Sequence, residues 1–249
     1  MPTEGKAALR AEVWAQLSSA GVARFPGAEG RIPNFTGAEA AAERLRQTEA
    51  WQRARTVKAN PDAPQWPVRQ RALEDGKTVF MAVPRLADEH PFFLLDPDHL
   101  ADPPRKASSI KGASRSARRV SVDELHPVDL VVAGCVAVGE DGARLGKGGG
   151  FSDLEFALAS EAGLIGPETV LCTTVHDLQV RPAGTVPTVD HDFRLDLIVT
   201  PTRVIRVNRS GRRPVGRIRW EELDDDKIAA VPLLRIRRSA AGRARPHPR

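Results

Sequence analysis

The chain has 249 residues, enough for one domain, or one domain with appendages, and a sizeable buried core. Apolar residues make up 41% and charged residues 28%, which excludes a disordered or fibrous chain, and no apolar run approaches the length of a membrane span. The net charge of +5 comes largely from the cations between Arg105 and Arg119 and from six arginines at and beyond Arg235; neither run carries interleaved aromatics for base stacking, so nucleic acid is not the expected partner.

The start, Met1-Pro-Thr-Glu-Gly-Lys6, lacks the apolar core of a signal peptide, and a cytoplasmic protein with no membrane partner is expected. Residues 4–20 read as a helix, with Leu9, Val13, Trp14 and Leu17 at helical spacing. Glycines and prolines make residues 21–36 a loop, and a second helix is expected from Ala38 to Arg55. Asn60-Pro-Asp62 reads as a turn, residues 67–75 as a short helix, and Thr78 to Val83 as a strand. Residues 84–119 are proline-rich, basic and poor in pattern, and read as a long surface excursion.

Val128 to Val138 is a near-continuous apolar run rich in β-branched residues, the signature of a strand buried on both faces. A glycine-rich loop follows, then a helix over 152–163 that stops at Gly163. Thr169–Val175 and Leu195–Thr200 read as strands, and Val204–Asn208 with Arg217–Trp220 as a hairpin around Ser210-Gly211. Residues 1–234 form the expected domain and residues 235–249 a basic, disordered tail. Cys135 and Cys172 sit in apolar runs and read as buried thiols. Alternating strands and helices define an α/β class, a mostly parallel sheet with helices on both faces, whose ligands sit beyond the carboxyl ends of the strands.

The loop Arg144-Leu-Gly-Lys-Gly-Gly-Gly-Phe-Ser-Asp153 occupies that position. Gly146, Gly148, Gly149 and Gly150 permit positive φ and close approach to a ligand, and successive amides can form an anion-binding nest. The following helix aims its positive end at the same place, and Arg144 and Lys147 add full charges. Asp153 is suited to a magnesium ion that bridges phosphates. The spacing is neither a Walker loop nor a dinucleotide fingerprint, so from local chemistry a phosphate site and a surface turn with Asp153 as helix cap both stand.

The loop resembles the signature Arg-Leu-Gly-x-Gly-x-Gly-Tyr-Tyr-Asp of the 5-formyltetrahydrofolate cyclo-ligase (methenyltetrahydrofolate synthetase) family. Lys6-Ala-Ala-Leu-Arg10, the segment Val79 to Arg85 ending in Pro-Arg, and His191-Asp192 with Asp196 and Thr200 are similar to further motifs of that family. The divergent branch of methenyltetrahydrofolate synthetase domain-containing proteins is more similar still. It is carried by Arg31-Ile-Pro-Asn-Phe35, Lys58-Ala-Asn-Pro-Asp62, Asp153-Leu-Glu155, Val175-His-Asp177 and Thr200-Pro-Thr-Arg-Val204.

The resemblance implies a cyclo-ligase-like fold of the NagB/RpiA/CoA-transferase-like kind, with ATP and Mg2+ as cofactors. The implied reaction phosphorylates the formyl oxygen of 5-formyltetrahydrofolate, lets N10 attack the activated carbon, and releases phosphate to leave 5,10-methenyltetrahydrofolate. It further implies that Lys6, Arg10, Arg144, Gly146, Lys147, Gly148, Gly149 and Gly150 bind the nucleotide, with Arg144 and Lys147 acting in catalysis. By the same resemblance Asp153 and Asp196 hold the metal, and Phe151 and Asp62 meet the substrate, a reduced folate or analogue. A monomer or homodimer is expected.

Taken alone, each of these residues has a plainer role. Lys6 and Arg10 fit a solvated helix face, Asp196 a strand-edge acid, His176 and His191 structural hydrogen bonds, and Asp177 and Asp192 turns. The chain contains no tyrosine: Phe151 and Ser152 stand at the two tyrosine positions, so the phosphate half of the motif is kept better than the folate half. Two other functions stay open: ATP-dependent amide activation on a non-folate substrate, and a non-catalytic nucleotide- or RNA-associated protein.

Overall fold

The computed structural model describes residues 2–189, 192–208 and 216–243. His191 and the Ser210-Gly211 turn of the expected hairpin lie outside these residues. Helix α1 spans Pro2–Ser19. The expected helix over 38–55 is two helices, α2 (Ala38–Arg46) and α3 (Glu49–Arg53). Thr48 separates them, because its extended backbone and a hydroxyl that accepts from the Trp51 amide start a new helix.

Strand β1 (Thr56–Ala59) follows, then α4 (Trp66–Glu74) and β2 (Thr78–Ala82). The segment read as a surface excursion contains β3 (Phe92–Leu95), α5 (Pro104–Ala107), α6 (Ile110–Ser116) and β4 (Arg118–Val120). The apolar run at 128–138 is two strands, β5 (Leu130–Val132) and β6 (Ala137–Gly139). After them come β7 (Arg144–Leu145), α7 (Phe151–Glu161), β8 (Val170–Thr174), β9 (Val180–Arg181), β10 (Leu197–Val199) and β11 (Val204–Arg206). Helices α8 (Asp225–Ala230) and α9 (Pro232–Arg243) end the described chain. Residues 235–243, expected as disordered tail, are therefore helical, and β11 pairs with β10 rather than with residues 217–220.

Among the described residues the main sheet has the order β11-β10-β8-β5-β1-β2-β3-β4. The five central strands, β10 through β2, are parallel, and β11, β3 and β4 add antiparallel edges. One face packs Phe80, Val131, Leu171 and Ile198 against α7, α8 and α9 through Leu158, Ile228 and Leu234. The other packs Val57, Met81, Leu130 and Cys172 against α2, α3 and α4 through Leu45, Trp51 and Val68. Cys135 and Cys172 are both free and buried.

A second sheet, β7-β6-β9, packs with α1 through Val13, Leu17, Val136 and Leu145. From β1 the chain runs to β2 on one side, while β5 lies on the other. The carboxyl ends of β1 and β5 thus form the crevice where open α/β sheets take ligands. No helix among the described residues is long and apolar enough to cross a membrane.

Candidate functional site

The glycine-rich loop lies over that crevice. Gly148 and Gly150 take φ of +99° and +65°, a backbone that only glycine adopts without strain. Gly150 is the residue before α7 and offers no side-chain cap, so the first-turn amides of α7 have no partner within the helix. Asp153 is therefore inside the first turn rather than the cap, and its carboxylate pairs with the Arg144 guanidinium.

Cations from three elements converge on the loop. Arg10, on α1, donates through Nε to the Gly146 carbonyl at 2.7 Å, and burial lowers its pKa although Asp192 opposes the shift. Lys6, one turn earlier, pairs with Asp192 at 2.5 Å. Arg144, on β7, is buried, with its guanidinium 3.8 Å from the centroid of Phe193 and its Nε without a partner among the described residues. Lys147 reaches Asp62, with Nζ 3.4 Å from Oδ1.

Below the loop, Lys58 on β1 and Glu155 on α7 form a buried ion pair at 2.5 Å. Asn60 donates to Glu155 and to the Ser152 hydroxyl, both at 3.2 Å. Ser152, at a tyrosine position of the motif, thus ties α7 to the end of β1. Arg69, also buried, donates to the carbonyls of Asn60 and Asp62 at 2.5 and 3.2 Å and fixes the turn that carries Asp62. A Cβ on Gly134, just past β5, would stand 3.1 Å from both Asp62 Oδ2 and Gln65 Oε1. Gln65 is fully buried and its Oε1 has no partner among the described residues, so a hydrogen-bond acceptor is left over beside Asp62.

The sequence-derived candidates thus divide. Arg10, Arg144, Lys147 and Asp62 meet at the loop with Gly146–Gly150, and Lys6 stands behind them through Asp192. Asp196 serves a different partner from Asp153: one carboxylate oxygen accepts the Leu171 amide at 2.8 Å, in the sheet. Among the described residues no group of three His, Cys, Asp or Glu side chains forms a ready metal cage. One carboxylate with phosphate oxygens and waters is a common magnesium environment, and Asp153 beside the loop fits it.

His176 accepts the Leu178 amide at 3.2 Å through Nδ1 and meets Phe35 edge-on, with ring centroids 6.0 Å apart. Asp177 accepts the hydroxyls of Thr200 and Thr202, each at 2.6 Å, which joins two of the sequence motifs into one structural unit. Phe151 opens α7, and the face of its ring is covered by Lys227, whose Nζ is 4.1 Å from the centroid. Nothing in the sequence alone assigns a role to Lys58, Gln65, Arg69 or Lys227; Lys58 stands out only as the first residue of the Lys58-Ala-Asn-Pro-Asp62 resemblance.

The doubly covered, mostly parallel sheet, with a glycine-rich, cation-ringed loop at its topological switch, places the chain in the class of open α/β proteins. The family model for the 5-formyltetrahydrofolate cyclo-ligase family matches residues 2–201, and the chain belongs to that family. It is 39% identical over 230 residues to the methenyltetrahydrofolate synthase domain-containing protein of Bos taurus, covering 91% of this chain and 60% of that protein. The Homo sapiens protein of the same description is 35% identical over 234 residues, with 93% and 61% covered. The chain therefore spans about three fifths of the length of these relatives. Among solved structures, the 5,10-methenyltetrahydrofolate synthetase of Aquifex aeolicus superposes with a TM-score of 0.53 at 18% identity, over 84% of this chain and 95% of that one, a likeness of fold.

Proposed function

We propose that the chain is an ATP- and Mg2+-dependent cyclo-ligase that converts 5-formyltetrahydrofolate, or a close analogue, to the 5,10-methenyl product. The observation that carries this reading is the convergence of Arg10, Arg144 and Lys147 on one glycine loop at the carboxyl ends of β1 and β5. Bound MgATP supplies the phosphoryl group that makes the formyl oxygen a leaving group, so that N10 closes the ring and phosphate departs with ADP as the second product. The chain's own residues bind, orient and neutralise charge, which is the main work in phosphoryl transfer.

In this reading Lys147 and Arg144 balance charge on the phosphates, and the loop amides and the amino end of α7 add fixed dipoles. Arg10 holds the loop by its Gly146 carbonyl, and Lys6 with Asp192 supports that face. Asp153 would hold the metal, which would neutralise charge on the phosphates. Asp62, and Gln65 Oε1, which has no partner among the described residues, would accept from N–H donors of the acceptor.

A specific observation favours a second reading, ATP-dependent activation of an amide oxygen on a substrate other than folate. Lys227 covers one face of the Phe151 ring, which leaves that face closed to stacking by a flat ring. The test is turnover of purified protein with ATP, Mg2+ and 5-formyltetrahydrofolate, followed at the absorbance of the methenyl product. Product with equimolar ADP supports the folate reaction; tight ATP binding without product moves the assignment to a different acceptor.

A further inference from the structure

The segment from Gly216 to Arg243 lies beyond the stretch that the family model matches. It is anchored to α7. Ile218, Ile228, Val231 and Leu234 share a core with Leu154 and Leu158, and Glu161 accepts both the Ile218 amide at 2.9 Å and the Arg237 guanidinium at 2.6 Å. Asp224 accepts the Lys227 amide at 2.6 Å and fixes the start of α8.

This anchoring delivers Lys227 to the glycine-rich loop. Its ammonium donates to the Gly149 carbonyl and covers the Phe151 ring. The side chain is half-buried, and desolvation lowers its pKa.

Peptide geometry gives that contact a consequence. In a trans peptide the carbonyl of one residue and the N–H of the next point in opposite directions. A cation that holds the Gly149 carbonyl toward α8 commits the Gly150 N–H to the other side. Both flanking residues are glycines, which impose little steric preference of their own on the peptide plane.

We propose that Lys227 is a positioning residue for the glycine-rich loop: it locks the Gly149–Gly150 peptide in the orientation that presents the Gly150 amide to an anionic ligand. Phosphate affinity in this chain then depends on its C-terminal segment. The inference rests on the reading that the loop binds phosphates.

The experiment is titration of MgATP into the full chain and its variants Lys227→Met, Lys227→Arg and Lys147→Ala, with thermal unfolding of each ligand-free protein alongside. Lys227→Met keeps the apolar stem over Phe151 and removes the cation. The expected result is an MgATP Kd raised at least about tenfold, or about 1.4 kcal/mol. Ligand-free melting stays close to wild type, and Lys227→Arg recovers most of the affinity. In turnover the loss appears in the KM for ATP rather than in kcat. Wild-type affinity in Lys227→Met, with affinity lost in Lys147→Ala, overturns the role of Lys227 and leaves the loop assignment standing. A wild-type chain that does not bind MgATP overturns both.

Discussion

Lys147 Nζ stands 3.4 Å from Asp62 Oδ1, a contact that joins the glycine-rich loop to the turn after β1 across 85 residues of sequence. Lys147 is nearly half exposed although Asp62 is mostly buried, and solvent screening on the lysine side keeps the pair's contribution to folding small. Asp62→Ala is expected to change unfolding free energy by less than about 1 kcal/mol in urea denaturation. Its effect falls on function instead. The KM for the acceptor rises, while Lys147, released from its partner, keeps or improves ATP affinity. A large loss of stability without a change in KM contradicts this assignment.

Lys58 and Glu155 behave oppositely. Both are almost fully buried, and burial pushes the Glu155 carboxyl up against the stabilising charge of Lys58. Removing one partner strands the other, at a cost of about 3–5 kcal/mol. Lys58→Met is therefore expected to lower the urea midpoint strongly. The double change Lys58→Met with Glu155→Met recovers much of the loss, because neither buried charge remains. Equal destabilisation by the single and double variants contradicts a paired role.

Gly134 keeps Asp62 and Gln65 in place by having no side chain. A Cβ there would meet Ile32 Cγ2 at 3.0 Å as well as the two polar oxygens at 3.1 Å. Gly134→Ala must displace these side chains, an overpacking cost of about 1–3 kcal/mol. The prediction is a folded protein with a raised KM for the acceptor and an almost unchanged KM for ATP. A change confined to ATP places the Asp62 side of the crevice wrongly.

His176 sets a pH dependence. Burial lowers its pKa below 6.5, with Asp177 acting in the opposite direction. The unfolded chain then binds the proton more readily than the folded one. This contribution to stability is complete above about pH 6.5 and is lost as pH falls toward the lower folded value. Thermal unfolding between pH 7.5 and 5 should show the decline, and His176→Asn should flatten its upper part. An identical slope in the variant assigns the decline elsewhere.

The glycine-rich loop, the strand β2, the helices α1 and α7 and the parallel sheet were legible in sequence, because glycine spacing and long apolar periodicity are local signals. Strand β1 was not: it has four residues with Lys58 among them, and the Glu155 that makes a buried lysine tolerable lies 97 positions away. The apolar run at 128–138 hid a break, since both β5 and β6 are fully buried and nothing in hydrophobicity marks the transfer from one sheet to the other. Strands β3 and β4 were missed because Phe92–Leu95 has no alternation and Arg118-Arg-Val120 is mostly charged. Arg144 and Lys147 lie within the loop's own sequence and Arg10 was suggested only by the family resemblance, whereas Lys227 reaches the loop only through tertiary packing of α8 on α7.

Residues 144–153, Lys147 among them, form with Arg10 the proposed triphosphate site. Calorimetric titration of MgATP into the wild-type chain and Lys147→Ala tests it most directly. Losing a charged hydrogen-bond partner to phosphate corresponds to about 1.5–3 kcal/mol, so the variant's Kd should rise by roughly 10- to 150-fold at constant salt. Saturable wild-type binding with that loss is the predicted result. Unchanged affinity in Lys147→Ala, or no saturable binding by the wild-type chain, contradicts it.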